Sequence, residues 1–192
     1  NTASATESTV GGGRVNTASG INSTVGGGQR NVVSADFGTI AGGGSTSAPS
    51  GNRVKGNWGT VSGGENNQAG DDDGLTTTAT HATVAGGQGN TASGPLSTDG
   101  GGIINTASGP LSTVGGGIIN PASGPLSTVG GGLNNTASAT QSMVGGGQSN
   151  TASGIISTVG GGNGNTAAGV RSTVGGGVGN IASGEESTVG GG

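Results

Sequence analysis

Few side chains of this 192-residue chain could do acid–base, nucleophilic or metal chemistry. The sequence contains one histidine, His81, and no cysteine. His81 has no second histidine or cysteine with which to share a metal ion, so neither a catalytic nor a metal-binding role is expected for it. A hydrolase would also need a base beside a nucleophile, and the carboxylates are scattered along the chain apart from two short acidic runs. We therefore predict that the protein is not an enzyme and uses no cofactor.

One acidic run, Asp71-Asp72-Asp73, precedes Gly74. Carboxylate oxygens in such a run could bind calcium. The spacing does not match an EF-hand loop, which alternates its ligands and ends in a glutamate. We therefore interpret the run as a solvated acidic loop, with calcium binding by Asp71, Asp72 and Asp73 as the weaker alternative.

The charge and hydropathy of the chain exclude two classes of partner. The net charge is −4 and only five residues are basic, which leaves no basic surface for nucleic acid or anionic lipid. No apolar run approaches the roughly 20 residues of a membrane-spanning helix. We expect neither nucleic-acid binding nor membrane insertion by this segment.

The elements that must position these residues come from a fifteen-residue repeat, N-T-A-S-G-x-x-S-T-V-G-G-G-x-x, whose positions are numbered 1 to 15 here. Asparagine fills position 1, and glycine fills positions 12 and 13, in all twelve units. Two units carry insertions, Thr46–Gly51 and Asp72–Ala79. A short fixed period is typical of a solenoid, so we predict one solenoid domain over residues 1–192. The units begin at Asn1, Asn16, Asn31, Asn52, Asn67, Asn90, Asn105, Asn120, Asn135, Asn150, Asn165 and Asn180.

Two short strands suit each unit better than a helix, because consecutive glycines disfavour helix by roughly 1 kcal/mol each. In both strands small apolar residues alternate with hydroxyl residues, which places the alanine of position 3 and the valine of position 10 inside a flattened coil. Asparagine and glycine are expected at turns with left-handed backbone conformations. The sequence thus predicts an all-β fold, a parallel β-roll of about twelve coils.

So thin a core predicts self-association. One valine and one alanine per coil contribute on the order of 2–3 kcal/mol, far less than the roughly 15–30 kcal/mol that ordering fifteen residues costs. The glycine triplet, as in Gly115-Gly116-Gly117, offers a surface without side chains where another backbone can approach. We expect a homo-oligomer.

The run from Gly117 to Gly131 (GIINPASGPLSTVGG) resembles the head repeat of trimeric autotransporter adhesins of the YadA type. This resemblance covers nearly the whole chain. It implies a left-handed parallel β-roll, a homotrimer, and display on a bacterial cell surface for attachment to host matrix or another cell. Similar rolls also occur in phage fibres and other extracellular filaments.

Two sets of side chains are candidates for contact with partners. Trp58, Phe37, Arg53 and Lys55 cluster in the diverged units, and tryptophan and arginine are favoured binding anchors. The alternative is that Phe37 and Trp58, which share a repeat position, only stack on each other. The second set would form exposed aliphatic ridges for subunit packing or for an apolar ligand surface: Leu96, Ile103, Ile104, Leu111, Ile118, Ile119 and Leu126.

Asp99 alone breaks the column of valine or isoleucine at position 10. A carboxylate in a thin core costs several kcal/mol unless it is neutralised or paired. It is therefore protonated, bound to an ion at a symmetry axis, or turned outward. The sequence does not decide among these.

The leading hypothesis is a non-enzymatic structural and adhesive segment of a bacterial surface fibre. A self-assembling extracellular filament or phage fibre subunit is the first alternative. The regular threonine columns of positions 2 and 9 also resemble the surfaces of ice-binding β-solenoids, although threonine simply suits exposed strands. Ice binding is the second alternative.

Overall fold

A computed structural model describes residues 1–47 and 51–192. Over these residues the chain is an all-β solenoid of twelve coils, in which parallel strands form two twelve-stranded sheets and no helix occurs. The predicted all-β fold, a parallel β-solenoid of about twelve coils, is confirmed. The insertion predicted at Thr46–Gly51 lies partly outside the described residues, since residues 48–50 are not among them.

Each coil contributes one two-residue strand to each sheet. The first sheet, from repeat positions 2 and 3, contains β1 (Thr2–Ala3), β3 (Thr17–Ala18), β5 (Val32–Val33), β7 (Arg53–Val54), β9 (Gln68–Ala69), β11 (Thr91–Ala92), β13 (Thr106–Ala107), β15 (Pro121–Ala122), β17 (Thr136–Ala137), β19 (Thr151–Ala152), β21 (Thr166–Ala167) and β23 (Ile181–Ala182). The second sheet, from positions 9 and 10, contains β2 (Thr9–Val10), β4 (Thr24–Val25), β6 (Thr39–Ile40), β8 (Thr60–Val61), β10 (Thr83–Val84), β12 (Thr98–Asp99), β14 (Thr113–Val114), β16 (Thr128–Val129), β18 (Met143–Val144), β20 (Thr158–Val159), β22 (Thr173–Val174) and β24 (Thr188–Val189).

Identical repeat positions stack in register from coil to coil. Ala107 pairs with Ala122 in the first sheet, and Val114 pairs with Val129 in the second. A third ladder, which the sequence did not predict, runs along position 14 as isolated bridges such as Ile103 to Ile118. Because the register never slips, each repeat position forms a continuous column along the solenoid.

The alanine and valine columns fill the interior, as the alternation of residue types predicted. Ala107 and Val114 are fully buried, whereas their neighbours Thr106 and Thr113 are only half-buried. The largest fully buried side chain is Ile40, and the next largest are all valines. The core is therefore only one small side chain thick from each sheet.

Ten of the twelve position-1 asparagines are buried inside the coil, and none of the twelve has a positive φ, so the prediction that they occupy turns with left-handed backbone is wrong. The side chain of Asn120 shows their role. Its Oδ1 accepts the Asn135 backbone N–H at 2.9 Å, and its Nδ2 donates to the carbonyls of Gly116 at 2.9 Å and Gly132 at 3.0 Å. One amide thus satisfies the Asn135 N–H and the Gly116 carbonyl, and it is a second donor to the Gly132 carbonyl, which also accepts the Ile118 N–H at 2.9 Å.

The three glycines of the triplet differ in how strongly their surroundings exclude a side chain. The position-13 glycines do have left-handed backbone, as predicted; Gly117 has φ +88°. A Cβ on Gly115 or Gly117 would overlap the carbonyl oxygen of the corresponding glycine in the next coil. A Cβ on the middle glycine, Gly116, would approach no described atom of the chain closer than 3.8 Å.

Candidate attachment surfaces

The turn at position 7 carries a stack of three rings. The ring centroids of Phe37 and Trp58 lie 5.4 Å apart with an interplanar angle of 1°, and those of Trp58 and His81 lie 5.0 Å apart at 8°. Phe37 and Trp58 stack on each other, as the alternative interpretation predicted. Since His81 stacks on the opposite side of Trp58, both faces of the Trp58 ring are covered. The stack therefore presents ring edges to solvent. His81 could have been assigned to this stack from its repeat position.

Arg53 and Lys55 lie on the outer face of the first sheet, where half of the coils carry only threonine and serine. Arg53 Nε donates to Gln68 Oε1 at 3.1 Å, and Lys55 Nζ forms an ion pair with Asp72. Partial burial, reinforced by the nearby Arg53 charge, lowers the pKa of Lys55, and Asp71 acts in the opposite direction. These long polar side chains belong to a different surface column from the ring stack.

The insertion Asp72–Ala79 folds back on this face. The Thr76 carbonyl accepts the Asn57 backbone N–H at 2.7 Å, and Thr78 Oγ1 donates to Asp71 Oδ1 at 3.2 Å. The Leu75 N–H donates to Asp73 Oδ1 at 2.7 Å. The first of these contacts anchors the loop to the preceding coil, the second ties it to its own coil, and the third lies within the loop.

The three aspartates differ in their surroundings. Burial, followed by the hydrogen bond with Asp73, raises the pKa of Asp71, whereas the Leu75 N–H lowers the pKa of Asp73. The Asp72 carboxylate forms an ion pair with Lys55. Among residues 1–47 and 51–192 there is no group of three or more histidine, cysteine or acidic side chains that could hold a metal ion.

A pocket of about 190 Å³ lies between the insertion and the first sheet. It is smaller than the roughly 300–1,000 Å³ of sites for drug-sized ligands, so it suits one side chain or one small polar group. Its lining mixes an ammonium group, carboxylates, hydroxyls and one apolar side chain: Ser34, Lys55, Asp71, Asp72, Gly74, Leu75 and Thr76.

The predicted aliphatic ridges are exposed along two turn columns of the middle coils. The exposed fraction of their side chains ranges from 40% at Ile103 to 56% at Ile104. Leu111 has φ +58° and Ile119 has φ +55°, and the other leucines and Ile104 have similar values. Left-handed backbone costs a residue with a Cβ roughly 1–2 kcal/mol, so these large side chains occupy positions where glycine or asparagine would be cheaper.

Asp99 lies inside the coil with no exposed surface, so the outward orientation is wrong. The Asp99 side chain points into the core of its own solenoid. Its Oδ1 accepts the Gly101 N–H at 2.9 Å, and its Oδ2 has no partner among the described residues. Burial raises the pKa of Asp99 to about 6, against a smaller opposing effect of the Gly101 hydrogen bond.

The threonine columns form straight outer rows, as their repeat positions imply. The position-9 row is continuous from Thr9 to Thr188 except at Met143, whose side chain is 44% exposed. In the first sheet the row is interrupted by residues such as Val32 and Pro121. The outer rows are therefore regular but not uniform.

Comparison with known proteins does not assign the chain to a family. No protein-family model matches the sequence, and a search of curated proteins finds no match. Within the described residues, no helix is long and apolar enough to cross a membrane.

Proposed function

We propose that this chain is a non-enzymatic structural and adhesive segment of an extracellular fibre on a bacterial cell surface. Twelve coils at 4.7–4.9 Å each give a rod about 55 Å long. In this role the chain assembles as a homotrimer, and the fibre attaches to host matrix or to another cell. Repeated weak contacts along the rod then reinforce one another through avidity.

The observation that carries the proposal is the placement of the aliphatic ridges. Ile104 and Ile119 are exposed and have left-handed backbone conformations, so each is doubly unfavourable for an isolated chain. The same repeat position holds Asn134 and Gly164 in other coils. Cheaper residues are thus compatible with the turn, which supports a role for the isoleucines in contact with another molecule.

The middle glycine of the triplet supports self-association. At Gly161 a Cβ would come no closer than 3.8 Å to any described atom, and the backbone is not left-handed. At seven coils, including that of Gly161, neither a contact nor the backbone conformation of the described chain requires glycine at this position, whereas at five others, such as Gly101 and Gly116, a positive φ does. Every unit nevertheless has glycine there. Close approach of a second chain would account for it.

The third to fifth coils are the best candidate for attachment to a different partner. They combine the ring stack, the basic residues Arg53 and Lys55, and the pocket beside the Asp72–Ala79 loop. In a repeat protein, such interruptions are where binding residues concentrate. The contact patch of Phe37, Arg53, Lys55 and Trp58 remains a prediction. We add the Asp72–Ala79 loop to it.

The double substitution Ile104→Asn and Ile119→Asn tests the proposal. We expect the isolated chain to keep its thermal stability or gain about 1 kcal/mol, because asparagine tolerates left-handed backbone better. Self-association, measured by analytical ultracentrifugation, should weaken at least tenfold, and attachment of cells or beads displaying the chain should fall with it.

Ile181→Thr is the matched control. Ile181 is 65% exposed but lies outside the ridges, at a position where most coils have threonine, and this change should leave association intact. Unaltered association in the double variant would contradict the proposal. Open-ended fibres in place of a discrete trimer would favour the filament alternative, and thermal hysteresis in cold solution would favour ice binding.

A further inference from the structure

The apolar core of the solenoid is divided into two parts. Buried alanine and valine side chains form one cluster between Ala18 and Ala92 and a second between Ala107 and Ala182. The division falls at the sixth coil, where Asp99 takes the place of the position-10 valine. The polar side chain thus interrupts the only apolar column of the second sheet.

The backbone ladder, in contrast, continues through this coil. Asp99 pairs in register with Val84 on one side and Val114 on the other. The Gly100 N–H donates to the Val114 carbonyl at 2.8 Å, and the Ala85 N–H donates to the Asp99 carbonyl at 3.0 Å. The two halves are therefore joined here by backbone hydrogen bonds, with less side-chain packing than at other coil boundaries.

The carboxyl group of Asp99 has no ionic partner in this interior. Its side chain is fully buried, and Oδ2 lacks a hydrogen bond among the described residues. His81 in the preceding coil lies in the outer ring stack. None of the strands packed against β12 contributes a titratable or charged residue: they supply Thr83, Val84, Thr91, Ala92, Thr106, Ala107, Thr113 and Val114.

We propose that Asp99 makes the sixth coil a pH-gated joint. When the carboxyl is protonated, the solenoid unfolds as one cooperative unit; when it is ionised, the N-terminal and C-terminal halves unfold separately. In a repeat protein cooperativity depends on each interface between neighbouring units, so one weakened interface is enough to divide the array.

The direction of the pH effect follows from the two protonation equilibria. Asp99 has a pKa of about 6 in the folded protein, above the ordinary aspartate value of 3.8. Between these values the folded state binds more protons than the unfolded state, so stability falls as pH rises. The contribution is complete below about pH 4 and lost above about pH 6. The opening equilibrium of the sixth coil should shift on the order of a hundredfold over this range.

Hydrogen exchange and calorimetry on the full chain test this inference. At pH 4.5 we expect one thermal transition and uniform amide protection from Thr83 to Thr128. At pH 7.5 we expect two transitions and, after correction for intrinsic exchange rates, on the order of a hundredfold less protection in β12 and β14. Asp99→Val should restore a single transition at both pH values.

Two further variants separate Asp99 from other causes. Asp99→Asn keeps the shape without ionising and should remove the pH dependence. Asp71→Asn removes the other carboxyl with a raised pKa and should retain the wild-type behaviour of the sixth coil. The inference is overturned if the wild type unfolds in one transition at both pH values, or if Asp99→Val retains the pH-dependent loss of protection.

Discussion

The third to fifth coils (residues 31–89) can be compared position by position with the seventh to eleventh (residues 105–179). Inside the coil both have an apolar column in each sheet, although Val33 and Val54 replace the position-3 alanine and Ile40 replaces the position-10 valine in the third and fourth coils. The asparagine ladder links Asn52 to its neighbours as it links Asn120. Outside they differ, because the third to fifth coils carry the insertions, the ring stack and the long polar side chains. The largest changes in side-chain length and charge thus lie on the outside, while the interior changes only between uncharged residues.

Position 11 shows how far that tolerance extends. The regular coils have glycine there, but the third to fifth coils have Ala41, Ser62 and Ala85. The backbone N–H of each donates to the position-10 carbonyl of the next coil over 3.0–3.1 Å. The same hydrogen bond is 2.9 Å long for Gly115 and Gly130. A small widening between coils accompanies the extra Cβ. The diverged coils are therefore slightly looser at position 11, whereas their first-sheet hydrogen bonds stay short, at 2.8 Å from the Arg53 N–H to the Asn67 carbonyl.

If the asparagine ladder is common to both regions, its loss should be equally costly in each. Asn120→Ala leaves the Gly116 carbonyl and the Asn135 N–H without their partner, whereas the Gly132 carbonyl keeps the Ile118 N–H. At roughly 1 kcal/mol or more for each of the two unsatisfied groups, we expect a loss of about 2 kcal/mol or more in the free energy of unfolding. Asn52→Ala should cost a similar amount, measured by chemical denaturation.

Asn134→Ala is the control, because this exposed asparagine lies at a turn and its side chain is not part of the asparagine ladder. It should cost far less than either ladder substitution. A loss at Asn52 much smaller than that at Asn120 would show that the looser spacing of the diverged coils extends into the interior, and would break the comparison.

The comparison also explains which features the sequence could predict. Alternation of small apolar and hydroxyl residues was enough to place Ala107 and Val114 inside and Thr106 outside, because side chains alternate across a strand whatever the fold. The role of Asn120 was missed, since its three partners lie 4, 12 and 15 residues away. Contacts at those separations exist only once the coils are stacked.

The surface sites were predictable to different degrees. Exposure of Leu111 and Ile119 followed from their turn positions, but their left-handed backbone did not, because bulky residues are uncommon there. The stack of Phe37 and Trp58 followed from a shared repeat position. The pocket beside Lys55 depends on how the Asp72–Ala79 insertion folds back, which no repeat constrains.

An intermediate effect is expected from exchanging position 11 between the two regions. Gly115→Ala places a Cβ against the Gly130 carbonyl oxygen, and the tightly stacked coils must widen. We expect a loss of about 1–3 kcal/mol, as for overpacking in cores. The reverse change, Ala41→Gly, should cost at most about 1 kcal/mol through backbone entropy. Equal losses would show that the difference in spacing between the regions has no energetic basis.

The smallest effect on stability should come from removing the insertion. Deleting residues 72–79 joins Asp71 to Thr80 and restores a fifteen-residue unit. Most of the loop is exposed and its one fully buried side chain is Ala79, so the loss should be about 1 kcal/mol. The pocket would disappear, and Lys55 would lose its partner Asp72. We expect attachment of the displayed chain to fall while self-association is retained.

The paired control Lys55→Met removes the charge but leaves the loop in place. Loss of attachment in both variants would assign binding to the pocket, whereas loss in the deletion alone would assign it to the loop surface. A fall of 3 kcal/mol or more on deletion would show that the loop is part of the structural stack. That outcome would remove the basis for treating the diverged coils as a binding site added to a regular rod.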